Sequence, residues 1–223
     1  MRNTRAVRPS ALTAISLKAA LISLCVASFG CRPEGVHTPA TGQVLFGSCD
    51  SCHGLKGEGR KEYGAPAIAG LPAWYIEAQL NKFRTGLRGA HPDDVEGLRM
   101  RPMSRQMMSN EEVVAVSKFA AALKPAGAHA ATVEGNAEAG KATYGLCTAC
   151  HGPAGLGNEA LKAPPIAGQH DWYLVASLQK FKSGVRGTAP GDQWGSTMRP
   201  MAMTLADDQA IKNVVAYVGT LKQ

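Results

Sequence analysis

Apolar residues recur at helical spacing in several stretches of this chain. In "WYIEAQLNKF", which follows Pro72, the residues Trp74, Ile76, Leu80 and Phe83 fall near one face of a helix. "SNEEVVAVSKFAAALK" opens with Ser109 as a cap and two acids in the first turn, then places Val113, Val116, Phe119, Ala120 and Leu123 along a stripe. "ADDQAIKNVVAYVGTLK" repeats that layout, with Asp207 or Asp208 at the start and Ile211, Val214, Val215 and Val218 inside. Short helices are expected through Val44-Leu45-Phe46 and Ala142-Thr143-Tyr144. No run of β-branched residues alternates with polar ones between turn signals, so the predicted class is all-α.

The helical pattern occurs twice. Shifted by 98 residues, Cys49, Cys52 and His53 fall on Cys147, Cys150 and His151, and "APAIAG" (Ala65–Gly70) falls on "APPIAG" (Ala163–Gly168). Trp74-Tyr75 meets Trp172-Tyr173, "NKFRTGLRG" meets "QKFKSGVRG", and "MRPM" at Met100–Met103 meets "MRPM" at Met198–Met201. The offset never changes, which identifies a tandem duplication. The expected layout is one domain over 43–125, a connector over 126–138 rich in Ala and Gly, and a second domain over 139–223. Each copy is small enough that apolar burial alone gives little stability, so something further is expected to hold it together.

The 223-residue chain has a formal charge of +7, but Arg2, Arg5, Arg8 and Lys18 lie in the first thirty residues with no acid among them. The remainder carries only +3, too little to point to nucleic acid. The basic start and the apolar run "ALTAISLKAALISLCVASFG" read as a signal segment over 1–30. Lys18 splits that run below the length of a membrane span. Gly30-Cys31 is a candidate lipid-attachment junction; the alternative is cleavage nearby and an unmodified Cys31. Residues 31–42 read as a linker.

Three chemistries use a close pair of cysteines. A redox disulfide needs a βαβ setting that the pattern does not offer, and a zinc site needs a second pair nearby, whereas these pairs lie 98 residues apart. Covalent haem attachment remains, for which Cys-x-x-Cys-His is the signature. Cys49 and Cys52, and likewise Cys147 and Cys150, can each add to the two vinyl groups on a haem edge. His53 and His151 then bind iron from one face. Two covalently bound haem c groups are therefore expected.

The opposite face of each iron calls for a second ligand. Each "MRPM" segment offers two methionines, and with its Pro and Arg the segment reads as a loop rather than a helical stripe. Methionine opposite histidine raises the haem potential, as in electron carriers. Met100 or Met103, and Met198 or Met201, are the candidates.

At these residues the chain resembles the dihaem cytochrome c4 family, a tandem of class I cytochrome c domains. The resemblance covers nearly everything after Gln43 and rests on both Cys-x-x-Cys-His motifs, Pro66–Gly70 and Pro164–Gly168, the aromatic start of the middle helix and the late methionines. It implies Met100 and Met198 as axial ligands, with Met103 and Met201 in reserve. It further implies that the Pro66 and Pro164 carbonyls accept a hydrogen bond from the proximal histidines. Lipid attachment at Cys31 is not general in that family, and "MRPM" is more basic than its usual pattern. Trp74, Trp172, Arg88 and Arg186 are candidates to line the haem or pair with its propionates, the alternative being core aromatics and solvated charges. His37, His91, His129 and His170 have no counterpart in the other copy and read as surface residues.

The expected function is that of an exported electron carrier in the periplasm, soluble or lipid-anchored. It passes single electrons between redox proteins such as a quinol-oxidising complex and a terminal oxidase or reductase. Two rivals stand beside it: a dihaem enzyme with one open iron site, and a haem subunit docked to a dehydrogenase.

Overall fold

The computed structural model describes residues 40–127 and 129–222. The signal segment, Cys31 and His37 lie outside these residues. The first copy contains α1 (Gly42–Phe46), α2 (Asp50–His53), a 3-10 turn (Lys61–Tyr63), α3 (Ala73–Thr85), α4 (Val95–Arg105) and α5 (Asn110–Ala122). The second contains α6 (Ala137–His151), α7 (Asp171–Ser183), α8 (Gln193–Met203) and α9 (Asp208–Val218). No strand forms among the described residues. The isolated bridges Arg60–Ala65 and Asn158–Ala163 are the same loop contact in the two copies.

The caps follow from side-chain chemistry. Ser109 Oγ accepts the Glu112 N–H at the start of α5, and Asp207, rather than Asp208, accepts the Ala210 N–H at the start of α9. The two cores share five equivalent buried positions. Phe46, Met107, Val113, Val116 and Ala120 are buried in one, and Tyr144, Leu205, Ile211, Val214 and Val218 in the other. The cysteine-bearing helix is continuous in the second copy but broken between α1 and α2 in the first. There the Ser48 hydroxyl donates to the Leu45 carbonyl at 2.8 Å, and successive amides bond three residues back rather than four. Leu146 stands in the place of Ser48 and offers no such bond.

The "MRPM" segments are a correction to the sequence reading: both lie within helices, α4 and α8, not loops. Asp94 and Asp192 start these helices by accepting the Gly97 and Gly195 N–H. Pro102 and Pro200 sit in the later turns with their rings exposed, so each removes one helix hydrogen bond without meeting a packed neighbour. The short apolar stripe hid these helices, although two caps in register were visible.

The N-terminal helix of each copy crosses the C-terminal one at a glycine. A Cβ on Gly140 would lie 1.9 Å from the Asn213 carbonyl oxygen, and one on Gly42 would lie 2.3 Å from that of Ala115. These contacts set how closely α6 meets α9 and α1 meets α5.

Both copies belong to one compact unit running from Pro39 to Gln223. The contact between them is reciprocal. Lys180 Nζ meets Asp94 at 2.6 Å and Lys82 Nζ meets Asp192 at 2.5 Å, each lysine and each aspartate being the 98-residue counterpart of the other. Gln169 exchanges hydrogen bonds with both the N–H and the carbonyl of Ala67, at 3.1 and 2.9 Å. Glu96 adds a second partner for Lys180 at 2.5 Å; its counterpart is Trp194, so this contact is one-sided.

Replacing Gly140 with alanine should lower stability by about 3 kcal/mol, because helix backbone must move to admit the methyl group. Thermal unfolding of the haem-loaded protein measures it. Burial favours the protonated Asp94 carboxyl, but the Lys180 hydrogen bond and charge outweigh it and hold the group below its ordinary value. Its contribution is therefore complete above the unfolded pKa of about 3.9 and is lost as pH falls through the lower folded value. Asp94→Asn should destabilise by about 3 kcal/mol at neutral pH and flatten the acid limb of a stability–pH curve.

Candidate haem sites

Each Cys-x-x-Cys-His motif ends a helix and delivers its histidine inward. His53 and His151 are buried at 8% and 9% exposure. The Nδ1–H of His53 donates to the Pro66 carbonyl and that of His151 to the Pro164 carbonyl, both at 2.8 Å. This bond directs Nε2 of each ring away from the proline loop. Burial lowers both imidazole pKa values, with the proline carbonyls opposing in part, so the rings are held neutral as metal ligation requires. Cys49 and Cys147 are partly buried, which raises their thiol pKa values.

A single cavity of about 550 Å³ is lined by residues of both copies. Cys49, Cys52 and His53 border it with Met100 and Met103, and Cys147, Cys150 and His151 border it with Met198 and Met201. The expected cysteine, histidine and methionine residues therefore line one cavity, in two equivalent sets. The paired methionines lie three apart on one helix and so share a face. Met100 packs against the first apolar core, whereas Met201 is 43% exposed. The Arg101 side chain lies against Gly86 and the Arg199 side chain against Gly184, at the end of the middle helix in each copy.

The cytochrome c family model matches the chain twice, over residues 39–124 and 137–222. A cytochrome c4 from Thiocapsa roseopersicina is 39% identical over 196 residues, covering 84% of this chain and 95% of the relative. The chain belongs to the dihaem cytochrome c4-like family. A thiosulfate dehydrogenase electron acceptor from Stutzerimonas stutzeri (strain A1501) is 35% identical over 197 residues, 83% of this cytochrome and 86% of that protein. A solved thiosulfate dehydrogenase from Marichromatium purpuratum superposes with a TM-score of 0.65 at 30% identity. That match covers 80% of this cytochrome but only 39% of the longer chain. The cytochrome carries two covalently bound haem c groups, one for each cysteine pair.

The residues present fit that cofactor. Besides thiols and neutral imidazoles, the cavity offers Arg88, whose Nε is buried with no partner among the described residues, a donor suited to a carboxylate-bearing ring. The reading of Arg88 and Arg186 as solvated charges is corrected, because both side chains are partly buried at the contact between the copies and carry protein partners. Arg88 donates to Gln79 at 2.8 Å and to the Tyr173 hydroxyl at 3.2 Å, while its guanidinium stacks over Phe83. Arg186 donates to Ser177 at 3.2 Å and stacks over Phe181. Trp172 borders the cavity, but Trp74 is not among its lining residues and instead lies under Lys162.

Sequence reasoning missed Tyr75 and Tyr173, which complete this cluster. Burial raises the Tyr75 phenol, and the neighbouring Tyr173 raises it further. Burial would raise Tyr173 too, but Arg88 and Arg186 outweigh it and bring its pKa down to about 7. The signal was available, since both tyrosines and both arginines recur at the 98-residue offset. His170 also departs from a surface reading. Its Nε2–H donates to the Glu58 carbonyl of the other copy at 2.8 Å, and its ring stacks on His129 and Trp172. His91 remains exposed, as expected.

Proposed function

We propose that this protein is an exported periplasmic carrier that moves single electrons between redox proteins through two haems, each held between histidine and methionine. The observation that supports the reading is that His53 and Met100, and equivalently His151 and Met198, line one continuous cavity. Bound haem iron supplies the redox chemistry by alternating between ferric and ferrous states. Cys49, Cys52, Cys147 and Cys150 tether the cofactors as thioethers. His53 and His151 would hold the iron, with the Pro66 and Pro164 carbonyls fixing each ring through Nδ1. Met100 and Met198 would supply the second ligands; Met201 is too exposed to serve well, and Met100 is favoured over the equally half-buried Met103 because it packs against the first apolar core. Apolar walls such as Phe46, Leu80 and Val214 exclude water.

The electron source favoured is a dehydrogenase that oxidises an inorganic sulfur compound. Support comes from the acceptor of thiosulfate dehydrogenase in Stutzerimonas stutzeri, to which the chain is similar over most of both lengths. A quinol-oxidising complex has no comparable support. No helix among the described residues is long and apolar enough to cross a membrane.

Met100→Leu should abolish the methionine-to-iron charge-transfer band of one oxidised haem and let the reduced protein bind carbon monoxide, while Met103→Leu should leave both properties unchanged. A wild-type protein that binds carbon monoxide at neutral pH would instead indicate an open iron and an enzyme. In stopped-flow mixing, thiosulfate dehydrogenase with thiosulfate should reduce both haems; reduction no faster than by thiosulfate alone would remove the proposed electron source.

A further inference from the structure

The connector between the copies reads in sequence as a plain tether, yet residues 129–136 are fastened at several points. Asp171 accepts the Thr132 and Val133 N–H groups at 2.5 and 2.7 Å and the Thr132 hydroxyl at 2.8 Å. Lys61 Nζ of the first copy donates to that same hydroxyl oxygen at 3.2 Å. Asn213 accepts the Asn136 N–H at 2.8 Å, and a Cβ on Gly135 would lie 2.3 Å from the Lys212 carbonyl oxygen.

Ahead of this clamp the His129 ring lies flat on the His170 ring, with centroids 3.5 Å and planes 23° apart. His170 in turn stacks on Trp172 at 5.2 Å, and its Nε2–H donates to the Glu58 carbonyl at 2.8 Å. One imidazole pair thus joins the connector, the start of α7 and a loop of the first copy. The arrangement is particular to this junction, because Pro72 and Ala73 stand in the places of His170 and Asp171 in the first copy.

Charge decides how well the pair holds. His129 Nε2 is shut off from solvent and has no partner among the described residues. A neutral ring leaves only a lone pair there, whereas an imidazolium would bury an unpaired, charged N–H. It would do so against a second titratable ring. Burial lowers the His129 pKa, His170 lowers it further, and Asp171 opposes them in part. Burial alone would raise Asp171, but its bonds to Thr132, Val133 and Trp172 outweigh that and keep it below its ordinary value. The clamp carboxylate therefore stays ionised where histidines titrate. Of the other charges at this junction, Lys61 is on Thr132, and the Glu58 carboxylate is turned to the Lys56 N–H at 2.9 Å, with Arg60 nearby.

We propose that His129 and His170 form a pH-sensitive latch that holds the connector against the junction of the two copies near neutral pH and releases it in mildly acidic surroundings. This stands on the fold and does not depend on the carrier reading. The contribution of His129 is complete above the ordinary histidine value of about 6.5 and is lost as pH falls below it.

Amide exchange in the reduced, haem-loaded protein, followed by NMR and corrected for the intrinsic rate, reads the latch at Thr132 and Val133. Between about pH 7.5 and about pH 5.5 their protection should fall roughly fivefold, the ceiling for one histidine being about tenfold one unit below its ordinary value. In His129→Phe, which keeps a flat ring over His170 but takes no proton, protection should be the same at both pH values. In His129→Ala, which removes the stack, it should be low at both. Equal protection of the wild-type amides at the two pH values overturns the latch. So does a fall of the same size in His129→Phe, which would place the titration elsewhere. Full protection at both pH values in His129→Ala overturns it too, since the stack would then hold nothing.

Discussion

A helical unit of about eighty residues cannot hold itself together by burying its own side chains alone. In both copies the helices pack around Phe46 or Tyr144, Val116 or Val214, and Ala120 or Val218, and all of these but Tyr144 border the cavity that a tethered haem would fill. The covalent link makes the cofactor part of the chain, so the arrangement of the remaining elements follows from where that ring must lie. The cysteine-bearing helix presents the thiols, the proline loop aims the imidazole, and α4 or α8 lines the same cavity with its methionines.

The contact between the copies extends this logic. Exchange of Lys82 and Lys180 for each other's aspartate ties α3 to the cap of α8 and α7 to the cap of α4. The same aspartates start the methionine-bearing helices, so the ion pairs hold those helices against the cavity as well as joining the two halves. Between them lies a polar cluster of two tyrosines and two arginines, held by one another, by Gln79 and Ser177, and by stacking on Phe83 and Phe181, with Arg88 Nε left without a partner among the described residues. Enclosing two guanidinium groups in this way is costly unless acceptors are supplied. The tyrosine hydroxyls meet that requirement, and haem carboxylates would add to it.

Duplication sets the two sites equal, and the departures from it give them separate characters. Glu96 adds an acid beside Lys180 where Trp194 stands in the other copy, Ser48 breaks the first cysteine helix, and Arg105 faces solvent where Met203 does. Each departure lies outside the apolar core, which tolerates little variation in volume. Differences between the two sites are therefore built from surface and capping residues.

Much of this was legible in the order of residues. The cysteine and histidine spacing is dictated by the geometry of a haem edge, and the constant offset of 98 exposed two modules without any structure. Helices with strong stripes and caps, such as those after Ser109 and Asp207, were visible because local periodicity determines them. The helices carrying Met100 and Met198 were not, because Pro102 and Pro200 argue for a loop unless their rings face solvent, and only packing decides that. Likewise Arg88, Arg186 and His170 resemble solvated side chains in one dimension. Their partners lie some eighty to one hundred and twelve residues away, in the other copy. Local chemistry sets the cofactor and its ligands; only the meeting of the two halves decides which charges leave the solvent.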